Sequence, residues 1–234
     1  MTMTKSKLTF RTIGIERLRV ISDGAGITTL VAGHGCPLRC KYCLNPQCFE
    51  QPKPVAEYTV EELIKEVAID DLYFQATGGG VVFGGGEPLL QADFIHAFRQ
   101  QCPKEWKIYL ESSLAVPETE LEKVIDDIDF FLIDIKDMNS VIYQNYTGRS
   151  NENTIRNLRK LAEAGKVTQT TIRIPLIPDY NNEKDRQESI KTLQEKGFVF
   201  FDAFLYEVEL ALGKRKAAQG NEATRKQRPA NATK

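Results

Sequence analysis

The sequence has no long apolar run and few cysteines, and each shortage excludes a class of protein. The longest apolar runs, such as residues 130–133, fall far short of the ~18 residues that a membrane-spanning helix requires. The first ten residues, MTMTKSKLTF, carry no apolar region of the signal-peptide kind, so a cytoplasmic location is expected. Five cysteines are an odd number in a chain of 234 residues, which does not describe a disulfide framework. Their spacing therefore needs another explanation.

The chain also lacks a charge imbalance, because 31 Lys and Arg stand against 32 Asp and Glu. This balance gives no argument for nucleic acid or a membrane as a partner. It hides a basic carboxyl end, since residues 213–234 hold seven Lys or Arg and one acid, Glu222. We expect a single domain over residues 1–212, followed by a flexible basic tail over residues 213–234 that is solvated rather than a polyanion-binding arm.

What the sequence does contain is an alternation of short apolar strands with longer helical stretches. Six strands are predicted, at residues 27–32, 81–83, 107–110, 130–134, 170–174 and 199–205. Five helices are predicted, at residues 59–71, 92–100, 118–126, 152–164 and 183–196. Such alternation is typical of right-handed βαβ units around a parallel sheet, with ligands bound at the carboxyl ends of the strands. We predict an α/β fold, a partial (β/α)6 TIM-like barrel, with a doubly wound open sheet as the alternative.

Three cysteines lie in one loop directly after the first predicted strand, with the spacing C-x3-C-x2-C. Cys36, Cys40 and Cys43 can surround a metal centre without long-range folding. A structural zinc site normally has four protein ligands, whereas an iron–sulfur cluster held by three thiolates leaves one iron free to bind another molecule. The alternatives are zinc with Cys48 as the fourth ligand, and ordinary buried thiols. Cluster binding is favoured, and Cys48 and Cys102 are interpreted as spare thiols.

With the aromatic Tyr42 before its third cysteine, this loop resembles the radical S-adenosylmethionine (radical SAM) superfamily. A second motif, GGGVVFGGGEPLLQ at residues 78–91, resembles that of the glycyl-radical-enzyme activating enzymes, the group typified by pyruvate formate-lyase activating enzyme. The resemblance covers about residues 12–216 and includes DGAG at 23–26, DIKDM at 134–138, YTG at 146–148 and RIPLIP at 173–178. It implies a partial barrel of the radical SAM type.

The same resemblance implies the chemistry. A [4Fe-4S] cluster would bind S-adenosylmethionine (SAM) through its fourth iron and break the sulfonium bond with one electron. The resulting 5′-deoxyadenosyl radical would remove a hydrogen atom from a backbone glycine of a partner, a glycyl radical enzyme, while the protein positions the cofactors. Flavodoxin or ferredoxin would supply the electron. The implied setting is cytoplasmic and oxygen-poor, with neither a membrane nor nucleic acid as partner.

The resemblance also assigns site residues. Cys36, Cys40 and Cys43 would ligate the cluster and carry the catalysis. The residues that would bind SAM are Tyr42, Cys43 and Leu44 beside the adenine, Gly85, Gly86 and Glu87 beside the methionine, and Asp134, Ile135, Lys136 and Arg173 along the rest of the site. Glu111 and Ser112 match positions near which the family places a monovalent cation.

Three positions depart from the family pattern. Leu44 and Thr28 stand where histidine and arginine are common, and the histidine of the sixth barrel strand is replaced near Glu207. These departures leave open a radical SAM enzyme that acts on a small molecule, a peptide or RNA. A non-catalytic iron–sulfur or zinc module is the alternative from another class of protein.

Overall fold

The structure, a computed structural model, describes residues 8–20, 23, 25–50, 54–206, 208–209 and 213. Its centre is an eight-stranded sheet. The strands are β1 (Thr9–Arg19), β2 (Thr28–Gly33), β3 (Ala56–Thr59), β4 (Gly80–Gly85), β5 (Lys107–Ser112), β6 (Phe130–Asp134), β7 (Thr170–Leu176) and β8 (Phe200–Leu205). Their order across the sheet is β3-β1-β2-β4-β5-β6-β7-β8, which leaves β3 and β8 as its edges.

The helices follow the strands along the chain. They are α1 (Gln47–Glu50), α2 (Val60–Val67), α3 (Asp71–Thr77), α4 (Ala92–Gln101), α5 (Glu118–Glu122), α6 (Ser140–Thr147), α7 (Glu152–Glu163) and α8 (Glu183–Gln194). At the start of α2, the Thr59 hydroxyl accepts a hydrogen bond from the Glu62 amide, and the Glu62 carboxylate accepts one from the Thr59 amide. This reciprocal pair is the predicted capping box.

Alternation along the strands separates the core from the ligand face. On β5, Ile108 and Leu110 pack into the main core with the helices. Tyr109 lies on the other face with Leu30 and Val82, and Glu111 on that face lines a cavity. The parallel strands therefore present apolar side chains to the helices and charged side chains to the inside of the curved sheet.

The six predicted strands correspond to β2 and β4–β8, and they pair in parallel as expected. Two strands that were not predicted, β1 and β3, add an antiparallel edge to this sheet, where β1 pairs with both β2 and β3. Polar residues and two register shifts interrupt the apolar pattern of β1, so its sequence does not show the strand. The α/β class is confirmed.

The five predicted helices exist, but the first is interrupted and the third is four residues shorter than predicted. The first passes from α2 into a 3-10 turn at Ala68–Asp70 and then into α3. Predicted to reach residue 126, α5 ends at Glu122 and continues as turns, because the amides of Val124 and Asp127 donate three residues back. The helices α1 and α6 were not predicted.

Among the residues that the structure describes, no helix is long and apolar enough to cross a membrane. This agrees with the short apolar runs of the sequence. The predicted tail lies outside the described residues apart from Gly213, as does Glu207. The domain boundary at residue 212 stays a prediction.

Candidate functional site

The inner face of the sheet and the loops at the carboxyl ends of its parallel strands enclose a cavity of about 470 Å³. Nine of the twelve residues predicted for the site line it: Cys36, Cys40, Cys43, Leu44, Gly85, Gly86, Asp134, Lys136 and Arg173. Glu111 and Ser112, predicted near a cation, also line it. Other lining residues were not predicted as cofactor contacts, and they include Glu16, Arg19, Asn45, Ser113, Asp202, Phe204 and Tyr206. The cavity lies at the predicted ligand face.

The cysteine loop is fixed to the end of α6 by main-chain hydrogen bonds. The Arg39 amide donates to the Thr147 carbonyl at 2.9 Å, and the Lys41 amide donates to the Tyr146 carbonyl at 3.1 Å. Between its first two cysteines, Leu38 is 2% exposed in a small apolar cluster that Cys36 and Cys40 contact. Packing and hydrogen bonds thus turn all three thiols of the loop toward the cavity.

The pKa of Cys40 indicates what kind of centre these three thiols can bind. The pKa of Cys40 is raised to about 12, mainly by burial and also by the neighbouring Cys43 and Cys36, while the charge of Lys136 opposes the shift. Three adjacent, partly buried thiols lose their protons together only when bound cations compensate the charge. Their chemistry therefore fits a centre with several iron ions.

A single zinc ion is the alternative centre. Zn–S bonds of ~2.3 Å require its ligands to converge closely on one point. Within the described ranges, no three Cys, His, Asp or Glu side chains are arranged to hold one metal ion. A [4Fe-4S] cluster binds each cysteine through a different iron, so it takes thiols that surround a larger volume. The three thiols of the loop provide the three cysteine ligands that such a cluster takes.

Cys48 is not the isolated thiol that its sequence position suggests. It is 1% exposed, and hydrogen bonds with Cys36 and Cys43 raise its pKa, as does burial. Cys102 is also buried, but its thiol donates to the Arg99 carbonyl at 3.7 Å, at the end of α4. Of the two cysteines interpreted as spare, one therefore lies against the proposed ligands.

The glycines at the end of β4 let that strand approach the cysteine loop. A Cβ atom on Gly86 would lie 2.2 Å from the Gly35 carbonyl oxygen. The Gly86 amide donates to the Gly33 carbonyl at 3.0 Å, and Asn45 Nδ2 donates to the Gly85 carbonyl at 3.0 Å. Backbone of the two motifs is thus in direct contact, which a side chain at residue 86 would prevent.

Glu87 does not face the cavity. It is 1% exposed and accepts hydrogen bonds from Ser112 Oγ at 2.7 Å, and from Ser113 Oγ at 2.7 Å and Ser113 N at 3.0 Å. Burial raises its pKa, while these donors oppose the shift. Its carboxyl group joins β4 to the end of β5 instead of lying in the predicted position beside a ligand.

Two other predicted contacts also lie off the cavity wall. Ile135 is fully buried in the main core, because it is adjacent in sequence to Asp134 and Lys136 and points the opposite way. The Tyr42 ring packs against Tyr146 and Tyr180, with ring centres 6.1 and 5.7 Å apart.

Charged side chains on the inner face form one network. Arg173 Nε lies 2.9 Å from Asp134 Oδ1, and Arg173 Nη1 lies 3.2 Å from Glu111 Oε1. Arg19 joins the network from β1, with its Nη2 3.3 Å from the same Glu111 oxygen. Burial would raise the pKa of Asp134, but Arg173 and Lys136 lower it below its ordinary value. Opposite charges thus stabilise each other inside the cavity.

The two residues predicted near a monovalent cation both have protein partners. Glu111 pairs with the guanidinium groups of Arg19 and Arg173, and the Ser112 hydroxyl donates to Glu87. The cation stays a prediction.

Comparison with known proteins places this site in a family. The model of the Radical SAM superfamily matches residues 30–193. The (2S)-3-sulfopropanediol dehydratase activating enzyme of Klebsiella oxytoca is 30% identical, over 72% of this chain and 72% of that protein. The pyruvate formate-lyase-activating enzyme of Staphylococcus aureus (strain USA300) is 33% identical, over 73% of this chain and 70% of that protein.

Solved structures share the fold. Streptococcus suis SuiB bound to the precursor peptide SuiA has a TM-score of 0.61 at 13% identity, over 84% of this chain and 46% of that chain. SuiB bound to S-adenosylmethionine has a TM-score of 0.57 at 14% identity, over 82% of this chain and 46% of that chain. This chain thus spans less than half the length of these solved chains. The likeness confirms the predicted partial TIM-like barrel.

The family model covers more than half of the chain, and the two curated relatives match about 70% of their own length. The chain belongs to the radical SAM superfamily, whose members use a [4Fe-4S] cluster and S-adenosylmethionine.

Proposed function

We propose that the protein is an activating enzyme that generates a glycyl radical on a partner enzyme by removing a hydrogen atom from one of its backbone glycines. The observation that carries the proposal is the meeting of the cysteine loop and the glycine-rich end of β4 at one cavity. Both curated relatives are named as activating enzymes, which favours a glycyl radical enzyme as the substrate.

Cys36, Cys40 and Cys43 would hold the cluster. When bound, the cluster and SAM supply the electron transfer and the hydrogen-abstracting radical. Lys136 is the cation that acts on Cys40, and its charge favours the thiolate form. Burial would lower the pKa of Lys136, but Asp134 raises it, so this side chain keeps its proton. The protein thus provides a fixed positive charge beside the proposed cluster site.

Charged residues elsewhere in the cavity wall match the two charges of the methionine part of SAM. Arg173 and Lys136 offer positive charge to a carboxylate, and Asp134 and Glu111 offer negative charge to an ammonium group. The positive and negative charges of these four side chains already neutralise one another. When the zwitterionic part of SAM binds, its charges take the place of these partners, so no buried charge is left unpaired. Leu44, beside the third cysteine, and Phe204 add apolar surface to the same cavity.

The electron would come from an external flavodoxin or ferredoxin. The sequence holds five cysteines, and three of them are taken by the proposed cluster. The remaining two lie apart, with Cys48 against the cluster loop and Cys102 at the end of α4. A cytoplasmic, oxygen-poor setting follows from the same proposal, because an open iron site is sensitive to oxygen.

Transfer of deuterium tests the function. A candidate glycyl radical enzyme labelled with deuterated glycine is incubated without oxygen with the reconstituted protein, SAM and reductant. We expect a glycine-centred radical in the electron paramagnetic resonance (EPR) spectrum and deuterium in the 5′-deoxyadenosine. Cys40→Ala should abolish both, whereas Cys102→Ala should retain both.

Two other outcomes decide against the proposal. Deuterium transfer from an added small molecule, peptide or RNA, with no radical on the partner protein, would assign the enzyme to another substrate class. Cluster binding without any 5′-deoxyadenosine would support the non-catalytic module. The charged cavity beyond the cysteines argues against that module, since a purely structural cluster needs no such space.

A further inference from the structure

Tyr206 follows β8, the edge strand of the sheet, and reaches the cysteine loop. Its hydroxyl donates to the main-chain carbonyl of Tyr42 at 2.6 Å. Its own amide donates to the Leu176 carbonyl at 2.9 Å, which fixes the residue to the end of β7. Tyr206 is 9% exposed and lines the cavity. One side chain thus connects the last strand, the cavity and the residue before Cys43.

This contact connects parts of the sheet that lie far apart. The cysteine loop follows β2, and four strands separate β2 from β8 in the order of the sheet. The loop also has main-chain hydrogen bonds to the end of α6, and Asn45 contacts the end of β4. Tyr206 therefore joins the loop directly to the far edge of the curved sheet.

The side chain of Tyr42 is also held by a residue near this edge of the sheet. Its hydroxyl donates to Asp179 Oδ2 at 3.0 Å, in the loop after β7. The Tyr146 ring packs against both tyrosines, with its centre 6.1 Å from that of Tyr42 and 6.5 Å from that of Tyr206. The backbone of Tyr42 is thus held by Tyr206 and its side chain by Asp179.

We infer that Tyr206 is a positioning residue whose hydrogen bond to the Tyr42 carbonyl holds Cys43 in place for the cluster and for SAM. The inference rests on the proposed cluster at Cys36, Cys40 and Cys43. A neutral hydrogen bond contributes a factor of about five in an equilibrium, so its loss should loosen the third ligand without unfolding the barrel.

The test compares two variants that each remove one tyrosine hydroxyl. Tyr206→Phe keeps the ring in the cavity wall and removes the donor to Tyr42. Tyr109→Phe is the matched control, because the Tyr109 hydroxyl also donates to a main-chain carbonyl, that of Ala25, at 2.6 Å. Both proteins are reconstituted with iron and sulfide without oxygen. Two quantities are then measured. The first is the rate at which iron is released to a chelator. The second is the SAM concentration that produces half of the full change in the EPR spectrum of the reduced cluster.

We expect Tyr206→Phe to release iron about fivefold faster and to require about fivefold more SAM, a factor that corresponds to one neutral hydrogen bond. Tyr109→Phe should match the native protein in both measurements. Thermal unfolding of the metal-free proteins verifies that both variants fold. Native values for Tyr206→Phe would overturn the inference, as would equal losses in the two variants.

The measurement separates this inference from the proposed function. If the native protein takes up no SAM-responsive cluster, the proposed function fails. If the native protein takes up such a cluster and Tyr206→Phe behaves identically, only the role of Tyr206 fails.

Discussion

Cys36, Cys40 and Cys43 were predicted as ligands from their spacing alone, and the structure turns all three toward one cavity. The spacing did not reveal what surrounds them. Cys48 lies five residues after the loop's last cysteine, yet it contacts two of the three thiols, because α1 folds its backbone onto Gly35 through a hydrogen bond of 2.8 Å. Contacts of this kind depend on how a turn folds, which the cysteine pattern does not show.

Replacing Cys48 should change the cluster's reduction potential. A hydrogen bond to a ligand sulfur stabilises the more negative, reduced state. We therefore expect Cys48→Ala to lower the potential by tens of millivolts, where about 59 mV corresponds to a tenfold change for one electron. A redox titration followed by EPR measures it, with Cys102→Ala as the control for losing a buried thiol. An unchanged potential in Cys48→Ala protein with full iron content would contradict this role.

Glu87 should make stability depend on pH. Burial raises the pKa of Glu87 in the folded state, so folding favours its neutral form. Its contribution to stability is present below the ordinary carboxyl pKa and is lost as the pH rises through the raised, folded-state pKa. Relative to Glu87→Gln, which does not titrate, the native free energy of unfolding should fall over that range. Urea unfolding of the metal-free proteins at several pH values measures this difference, and a constant difference would contradict the expectation.

At the scale of elements, strands with continuous apolar runs were predictable, whereas those at the antiparallel edge were not. β6 has the predicted bounds, because FFLI is followed at once by a charged residue. β1 is defined as a strand by its pairing with β2 and β3, and two register shifts break the alternation of its buried and exposed side chains. The helix α6 is short, is capped by Asn139 and buries two tyrosines, so its apolar stripe is too narrow to stand out in the sequence.

The junction of β4 with the cysteine loop should not tolerate a side chain. In Gly86→Ala, the new Cβ would lie 2.2 Å from the Gly35 oxygen and 2.8 Å from the Gly33 oxygen, so the strand and the loop must separate. We expect a loss of about 1–3 kcal/mol in stability, as for other overpacked sites, together with reduced iron uptake. Thermal unfolding and iron analysis measure the two effects.

Gly165→Ala is the control for this junction. Gly165 has a positive φ of 71° but open space around the added methyl group, so only backbone strain is introduced. We expect Gly165→Ala to lose stability and keep its iron. If Gly86→Ala also bound iron normally, the contact between the two motifs would not be needed for the cluster.

At the scale of the whole molecule, the site is made by residues that are far apart in the sequence. Arg19 comes from the antiparallel edge and Tyr206 from beyond the last strand, and both line the cavity with the cysteines. Neither belongs to a motif that sequence analysis could recognise, because their roles follow from closure of the curved sheet. The family motifs therefore identified the chemistry, while the contacts that complete the cavity required the fold.

The central claim is that Cys36, Cys40 and Cys43 hold a cluster to which SAM binds. EPR of the protein reconstituted with iron and sulfide and reduced without oxygen, recorded with and without SAM, tests this claim most directly. The account predicts the signal of a reduced [4Fe-4S] cluster that changes when SAM is added and disappears in Cys40→Ala. A signal that SAM leaves unchanged, or one that persists in Cys40→Ala, would contradict it.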